Sequence, residues 1–141
     1  MQIFNDFEHA AVLRQLRQDE LLTTIEFFKG FDGTPLDTVV AAAEQRAFAR
    51  GGVLFTENDA ATELFVVVSG RIAIANRSID GRESVVALME RGDLFGEMPL
   101  FDGLARSAEA RALEPSEVVA ISYAPLRDIY RDQPQLLWNV V

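Results

Sequence analysis

Apolar and polar positions change rhythm twice along the chain, dividing it into three stretches. From about Asp6 to Glu44 the pattern is helical: Phe7, Ala10, Ala11, Leu13 and Leu16 mark one apolar side, with charges between them. A turn is expected around Lys29-Gly30-Phe31-Asp32-Gly33. Thr34-Pro35-Leu36-Asp37 then has the marks of a helix start: Thr34 as cap, Pro35 at the first helical position and an acid three residues after the cap. That helix would run through Val39, Val40 and Ala43. From about Gln45 to Ser122 short apolar runs recur between turn signals, which is the pattern of strands. Val53-Leu54-Phe55 follows Gly51-Gly52, and Leu64 to Val68 ends at Ser69-Gly70. Ile72 to Ala75 leads to Asp80-Gly81, a hairpin signal. Val85 to Met89 ends at Arg91-Gly92-Asp93, and Val118 to Ile121 is the last run. Many short strands between regular turns predict a barrel or jelly roll.

Helical spacing returns at the end. Pro125 suits a first helical turn, and Leu126, Ile129 and Tyr130 share a face. Asp132-Gln133-Pro134 breaks that helix. A second one is expected to follow, with Leu136, Leu137, Val140 and Val141 as one apolar stripe. The chain stops there without a Gly or Pro stop signal, the pattern of a helix cut in its first turns. The stripe of Leu137, Val140 and Val141 is a candidate dimer contact in a longer chain.

Composition narrows the function. At 141 residues with 49% hydrophobic content the chain suits one domain with a real core. The absence of cysteine removes disulfides, thiolate nucleophiles and cysteine-held metal clusters. His9 is the one histidine and has no partners at ligand spacing, so no metal site is expected. It is also remote from any nucleophile motif, and with no Gly-x-Ser-x-Gly elbow the chain is not expected to be an enzyme. No apolar run reaches membrane-spanning length and Met1 to Asp6 lacks a signal-peptide start, so a cytoplasmic location is expected. A net charge of −9 repels phosphate backbones, so this segment alone should bind DNA poorly.

The chemistry lies in Phe95-Gly96-Glu97-Met98-Pro99-Leu100-Phe101, followed by Asp102-Gly103-Leu104-Ala105 and then Arg106-Ser107-Ala108. Gly96 lets backbone approach a ligand closely. Glu97 and Met98 before Pro99 fit the start of a very short helix, whose unpaired N–H groups attract anions. Arg106 adds a planar fork of donors suited to a phosphate, and Ser107 a hydroxyl. Glu97, ionised, only accepts hydrogen bonds and suits a sugar hydroxyl. A carboxylate beside a phosphate needs a nearby cation, and Arg106 is the one available. In isolation Glu97 and Arg106 would read as an ordinary surface ion pair.

This segment resembles the phosphate-binding cassette of cyclic-nucleotide-binding domains, in the version of the bacterial catabolite activator (Crp/Fnr) regulators. The surrounding order agrees: Val53 to Glu57, Leu64 to Ile72, Asp80-Gly81-Arg82-Glu83, and Gly92 to Glu97. The resemblance covers roughly residues 20 to 141. It implies an α+β, mainly β fold: an eight-stranded, jelly-roll-like antiparallel β-roll flanked by N- and C-terminal helices. It implies that Glu97 binds a ribose 2′-hydroxyl. Gly96 and the backbone of Glu97, Met98, Pro99 and Leu100 would line the cyclic phosphate. Arg106 and Ser107 would hold its oxygens, and Val85, Leu88 and Leu94 would wall the purine. The implied ligand is cAMP, possibly cGMP, with no other cofactor. The implied parent is a dimeric transcription regulator whose DNA reader lies outside this segment. Rival readings are a regulatory module on another effector (a kinase, channel or acyltransferase), or a ligand-free roll used for protein contacts. The loop Glu57 to Glu63 lacks the glycines usual in that family, and Asn58 and Asp59 are expected to make its turn instead. Trp138 is expected to pack against a partner or the barrel.

Overall fold

The computed structural model describes residues 27–77 and 80–140. The expected helices before Phe27, His9 and Val141 lie outside this range. Among the described residues, eight strands form two four-stranded antiparallel sheets. Strands β1 (Ala43–Phe48), β8 (Ser116–Ser122), β3 (Glu63–Ser69) and β6 (Leu94–Phe95) make one sheet, in that order. Strands β2 (Val53–Phe55), β7 (Glu109–Ala112), β4 (Ile72–Arg77) and β5 (Glu83–Met89) make the other. This is the jelly-roll-like β-roll that the strand spacing predicts.

The first sheet is buried on both faces. Alternate residues Leu64, Val66, Val119 and Ile121 pack against the helices, while Phe65, Val67, Val118 and Ala120 face the interior of the roll. That double burial is why β3 and β8 are continuous apolar runs rather than alternating ones. Inside the roll Phe55, Phe65 and Phe95 pack as a group, with Phe65 and Phe95 stacked at 5.4 Å between ring centres.

Among the described residues, three α-helices flank the sheets. Helix α1 spans Gly33–Ala42 and α2 is the five-residue Met98–Asp102. Helix α3 spans Tyr123–Asp132 and buries Tyr123, Leu126, Ile129 and Tyr130 on one face, as the helical spacing predicts. The start of α1 differs from expectation: Asp32 occupies the cap position, and Thr34 lies inside the first turn, its carbonyl accepting from the Thr38 hydroxyl at 2.9 Å. Ala43 and Glu44 belong to β1 rather than to the helix before it, because Ala43 and Glu44 pair with Ile121 and Ala120 of β8. After α3 the segment Pro134–Val140 is a 3₁₀ helix, not the expected α-helix. Leu136 is buried there and Leu137 packs beside it on the helix-side core, so the expected stripe is partly spent within the domain. Trp138 is 79% exposed, which places it off the barrel.

Candidate functional site

Strand β6 is short because its neighbour β3 pairs with it only at Phe65–Phe95 and Val66–Leu94. The chain leaves the sheet at Gly96, which has φ 79°, a region that side-chain-bearing residues enter at a cost. A Cβ here would also stand 2.9 Å from Nη1 of Arg106, so a larger residue would shift the guanidinium. Glu97 then takes the cap position of α2, and its carbonyl accepts from Leu100 N at 3.0 Å. Pro99 fits this first turn, where its missing N–H costs nothing. Gly103 ends the helix, and Asp102 Oδ1 accepts from Leu104 N at 2.9 Å to turn the chain back toward Arg106.

Arg106 is 5% exposed. Its guanidinium donates from Nη1 to the Gly96 carbonyl at 2.8 Å and to the Tyr123 hydroxyl at 3.3 Å, and from Nη2 to the Glu63 carbonyl at 2.5 Å. Its flat face lies 4.0 Å from the ring centre of Phe55. The backbone is fixed too: Asn58 N donates to Arg106 O, and Arg106 N to Asp59 O, both at 2.8 Å. Asn58 supplies the turn with φ 73° and Asp59 Oδ2 accepts from Thr56 N at 2.9 Å, which is the expected Asn/Asp substitute for glycine. That backbone N–H lowers the Asp59 carboxyl pKa. Among the described residues, the hydrogen-bond partners of this buried cation are all uncharged. A buried charge is costly unless compensated.

These elements enclose a cavity of about 220 Å³, lined by Phe55, Ile74, Met89, Phe95, Gly96, Glu97, Met98, Pro99, Asp102, Leu104, Ala105, Arg106, Ser107 and Ala108. Glu97 is half-buried in its wall. Burial raises the Glu97 pKa, opposed by its own backbone N–H and by Arg106. The polar groups of the wall thus lie on the cassette, and Phe55, Ile74, Met89 and Phe95 bring apolar side chains to it from β2, β4, β5 and β6.

Six of the expected site residues meet at this cavity: Gly96, Glu97, Met98, Pro99, Arg106 and Ser107. Three are corrected. Val85 and Leu88 are 56% and 45% exposed on the outer face of β5. Met89 and Ala87 pair with the inward Ile72 and Ile74, and side chains alternate along a strand, so Leu88 points away. Val85 pairs with Ala75 beyond a register shift that follows Ile74. Leu94 is buried in the helix-side core instead of lining the cavity, opposite Val66, whose side chain faces the helices; Leu100, expected at the site through its backbone, buries its side chain in the same core. The apolar wall that sequence reasoning missed is Phe55, Ile74 and Met89. Only the alternation through Ile72 and Ile74, carried across the hairpin, could have signalled it. Among the described residues no group of three His, Asp or Glu side chains is placed to hold a metal.

Fold and site together define a β-roll ligand domain whose cavity sets a buried arginine and a half-buried glutamate on one cassette. Residues 45–133 match the cyclic nucleotide-binding domain family, and the chain belongs to that family, in its Crp/Fnr version. A CRP-like cAMP-activated global transcriptional regulator of Mycobacterium tuberculosis is 28% identical over 84% of this chain and 53% of its own length. The Thermus thermophilus catabolite activator protein structure superposes with TM-score 0.70 at 30% identity, covering 82% of this chain and 54% of that one. The regulatory domain of Toxoplasma gondii PKA, crystallised with cAMP, gives TM-score 0.76 at 26% identity over 92% of this chain and 47% of that one. The chain spans about half the length of the curated relatives it matches.

Proposed function

We propose that the domain reversibly binds a cyclic nucleotide, cAMP first, and acts as the sensor of a transcription regulator. The observation that carries this reading is Arg106: a buried guanidinium with uncharged partners, at a cavity whose other polar wall holds Glu97. A cyclic phosphate supplies an anionic hydrogen-bond partner, and the arginine fork matches its oxygens. Ser107, exposed at the cavity, adds a hydroxyl to the same oxygens. Glu97 accepts from the ribose 2′-hydroxyl, and Phe55, Ile74 and Met89 wall the base. Relatives named as cAMP-activated regulators support the choice of ligand.

The reading assigns binding and signalling to this domain and no reaction. In a longer chain, continuation beyond α3 would provide a dimer contact, and DNA reading would fall to a further domain. A cytoplasmic site of action fits that role. Calorimetric titration with cAMP and cGMP in parallel tests the proposal. Saturable binding of at least one at a single site supports it, and absence of both overturns it.

A further inference from the structure

Tyr123 is the first residue of α3, and its side chain is fully buried. Its hydroxyl donates to the Gly96 carbonyl and accepts from Arg106 Nη1. The same carbonyl accepts from Arg106 Nη1 directly. This triangle therefore joins the start of the cassette, its end and the first turn of the C-terminal helix. The Tyr123 backbone N–H is fixed separately, donating to Thr62 O at 2.9 Å. Packing alone does not account for the hydroxyl, because phenylalanine would fill nearly the same volume.

The chemistry of the partner matters. A carboxylate in this place would hold Arg106 more tightly but would neutralise it and compete with an incoming anion. A phenol orients the guanidinium and leaves its full charge for the ligand. Burial raises the Tyr123 pKa further, against the pull of Arg106, so the phenol stays neutral. Three of the five guanidinium N–H donors serve Gly96, Tyr123 and Glu63. An anion that draws on the same guanidinium shifts the balance of these bonds, and one of them ends on α3.

Resting on the cyclic-nucleotide reading above, we propose that the Tyr123 hydroxyl is a positioning group for Arg106 and the link through which occupancy of the cavity reaches α3. Reciprocity follows: whatever holds α3 in one position changes ligand affinity by the same factor.

The test is Tyr123→Phe, with two readouts. The first is cAMP affinity by calorimetry. The second is the fluorescence of Trp138, the single tryptophan, which lies in the 3₁₀ segment directly after α3. Affinity is expected to fall roughly tenfold to a hundredfold, the scale of one hydrogen bond to a charged group. The change in Trp138 emission at saturating cAMP is expected to shrink or vanish. In an Arg106→Lys background the same substitution should change affinity less than about twofold, because the group it positions is gone. Tyr123→Met, which also lacks the hydroxyl, replaces the phenylalanine variant if that one melts well below the parent. Unchanged affinity with an intact Trp138 response overturns the proposal, as does an equal loss in both backgrounds, which marks a merely structural role. A parent chain that binds no cyclic nucleotide overturns this proposal together with the reading beneath it. A parent that binds while the variant behaves identically overturns this proposal alone.

Discussion

The guanidinium carbon of Arg106 lies 4.0 Å from the centre of the Phe55 ring, so the cation lies on an aromatic face while its edge turns to the carbonyls of Gly96 and Glu63. The arginine therefore has two roles. It is the candidate anion anchor, and it is part of the wall that joins the cassette to β2 and β3.

Arg106→Ala should lower cAMP affinity by about thirtyfold to a few thousandfold, the usual effect of truncating a desolvated charge partner at about 2–5 kcal/mol. It should also lower the melting temperature, because it removes the hydrogen bonds that the guanidinium gives to the Gly96 and Glu63 carbonyls and to the Tyr123 hydroxyl. Arg106→Lys keeps the charge and much of the stem, and should recover stability more than affinity. Calorimetry and thermal melts on both variants check this. A folded Arg106→Ala that binds within a few-fold of the parent would show that the anion is anchored elsewhere.

The wall of the cavity offers a paired test. Met89→Ala should weaken binding several-fold, because Met89 lines the cavity and loses apolar contact with the base at about 25 cal/mol per Å². Leu88→Ala and Val85→Ala, on the exposed outer face of β5, should leave affinity within about twofold, as surface substitutions usually do. The opposite ranking in parallel titrations would mean that β5 presents its other face to the ligand.

Glu97 gives a pH signature of two signs. Its pKa is raised by burial, so the folded state holds the proton more tightly than the unfolded one. Its contribution to the stability of the free domain is therefore fullest on the acid side and is lost as pH rises through the titration. Ligand affinity runs the other way, because protonation removes acceptor strength at the ribose hydroxyl. Binding should weaken as pH falls from about 7 toward about 4, the ordinary carboxylate region. Glu97→Gln should flatten both slopes and bind about tenfold more weakly at neutral pH. Titrations and melts across that range decide the matter. An unchanged affinity slope in the glutamine variant would assign the titration to another group.

Gly96→Ala should be costly at a site where the side chain gained is a single methyl. The φ of 79° places a Cβ in the left-handed region, a penalty of about 1–2 kcal/mol. The added atom would also stand 2.9 Å from Arg106 Nη1 and push the guanidinium aside. A melting point lower by roughly 5–10 °C is expected, with weaker cAMP binding. A variant with parental stability and affinity would mean that the cassette relaxes freely at this position.

Local signals in the sequence determined much of this protein. Turn residues at regular spacing marked five of the strands, β2, β3, β4, β5 and β8, and the Leu126, Ile129 and Tyr130 spacing set the buried face of α3. The run from Gly96 to Ser107 was picked out by its resemblance to the family's cassette, and its residues answer local needs: a positive φ, a first-turn proline, a donor fork. Asn58 and Asp59 likewise showed how their loop turns. Tertiary structure alone decided which side of each strand faces the cavity. In Val85-Val86-Ala87-Leu88-Met89 every residue is apolar, so nothing in the run marks its inward parity; the pairing of Met89 with Ile72 and of Ala87 with Ile74, followed by a register shift, does. Leu94 was equally ambiguous, because the sheet it joins is buried on both faces. Tyr123 was invisible as a site residue, since its hydroxyl meets Arg106 and Gly96 only when chain segments 17 and 27 residues apart are folded together. Long-range contacts of that kind depend on the positions of whole elements, which no local pattern of residues encodes.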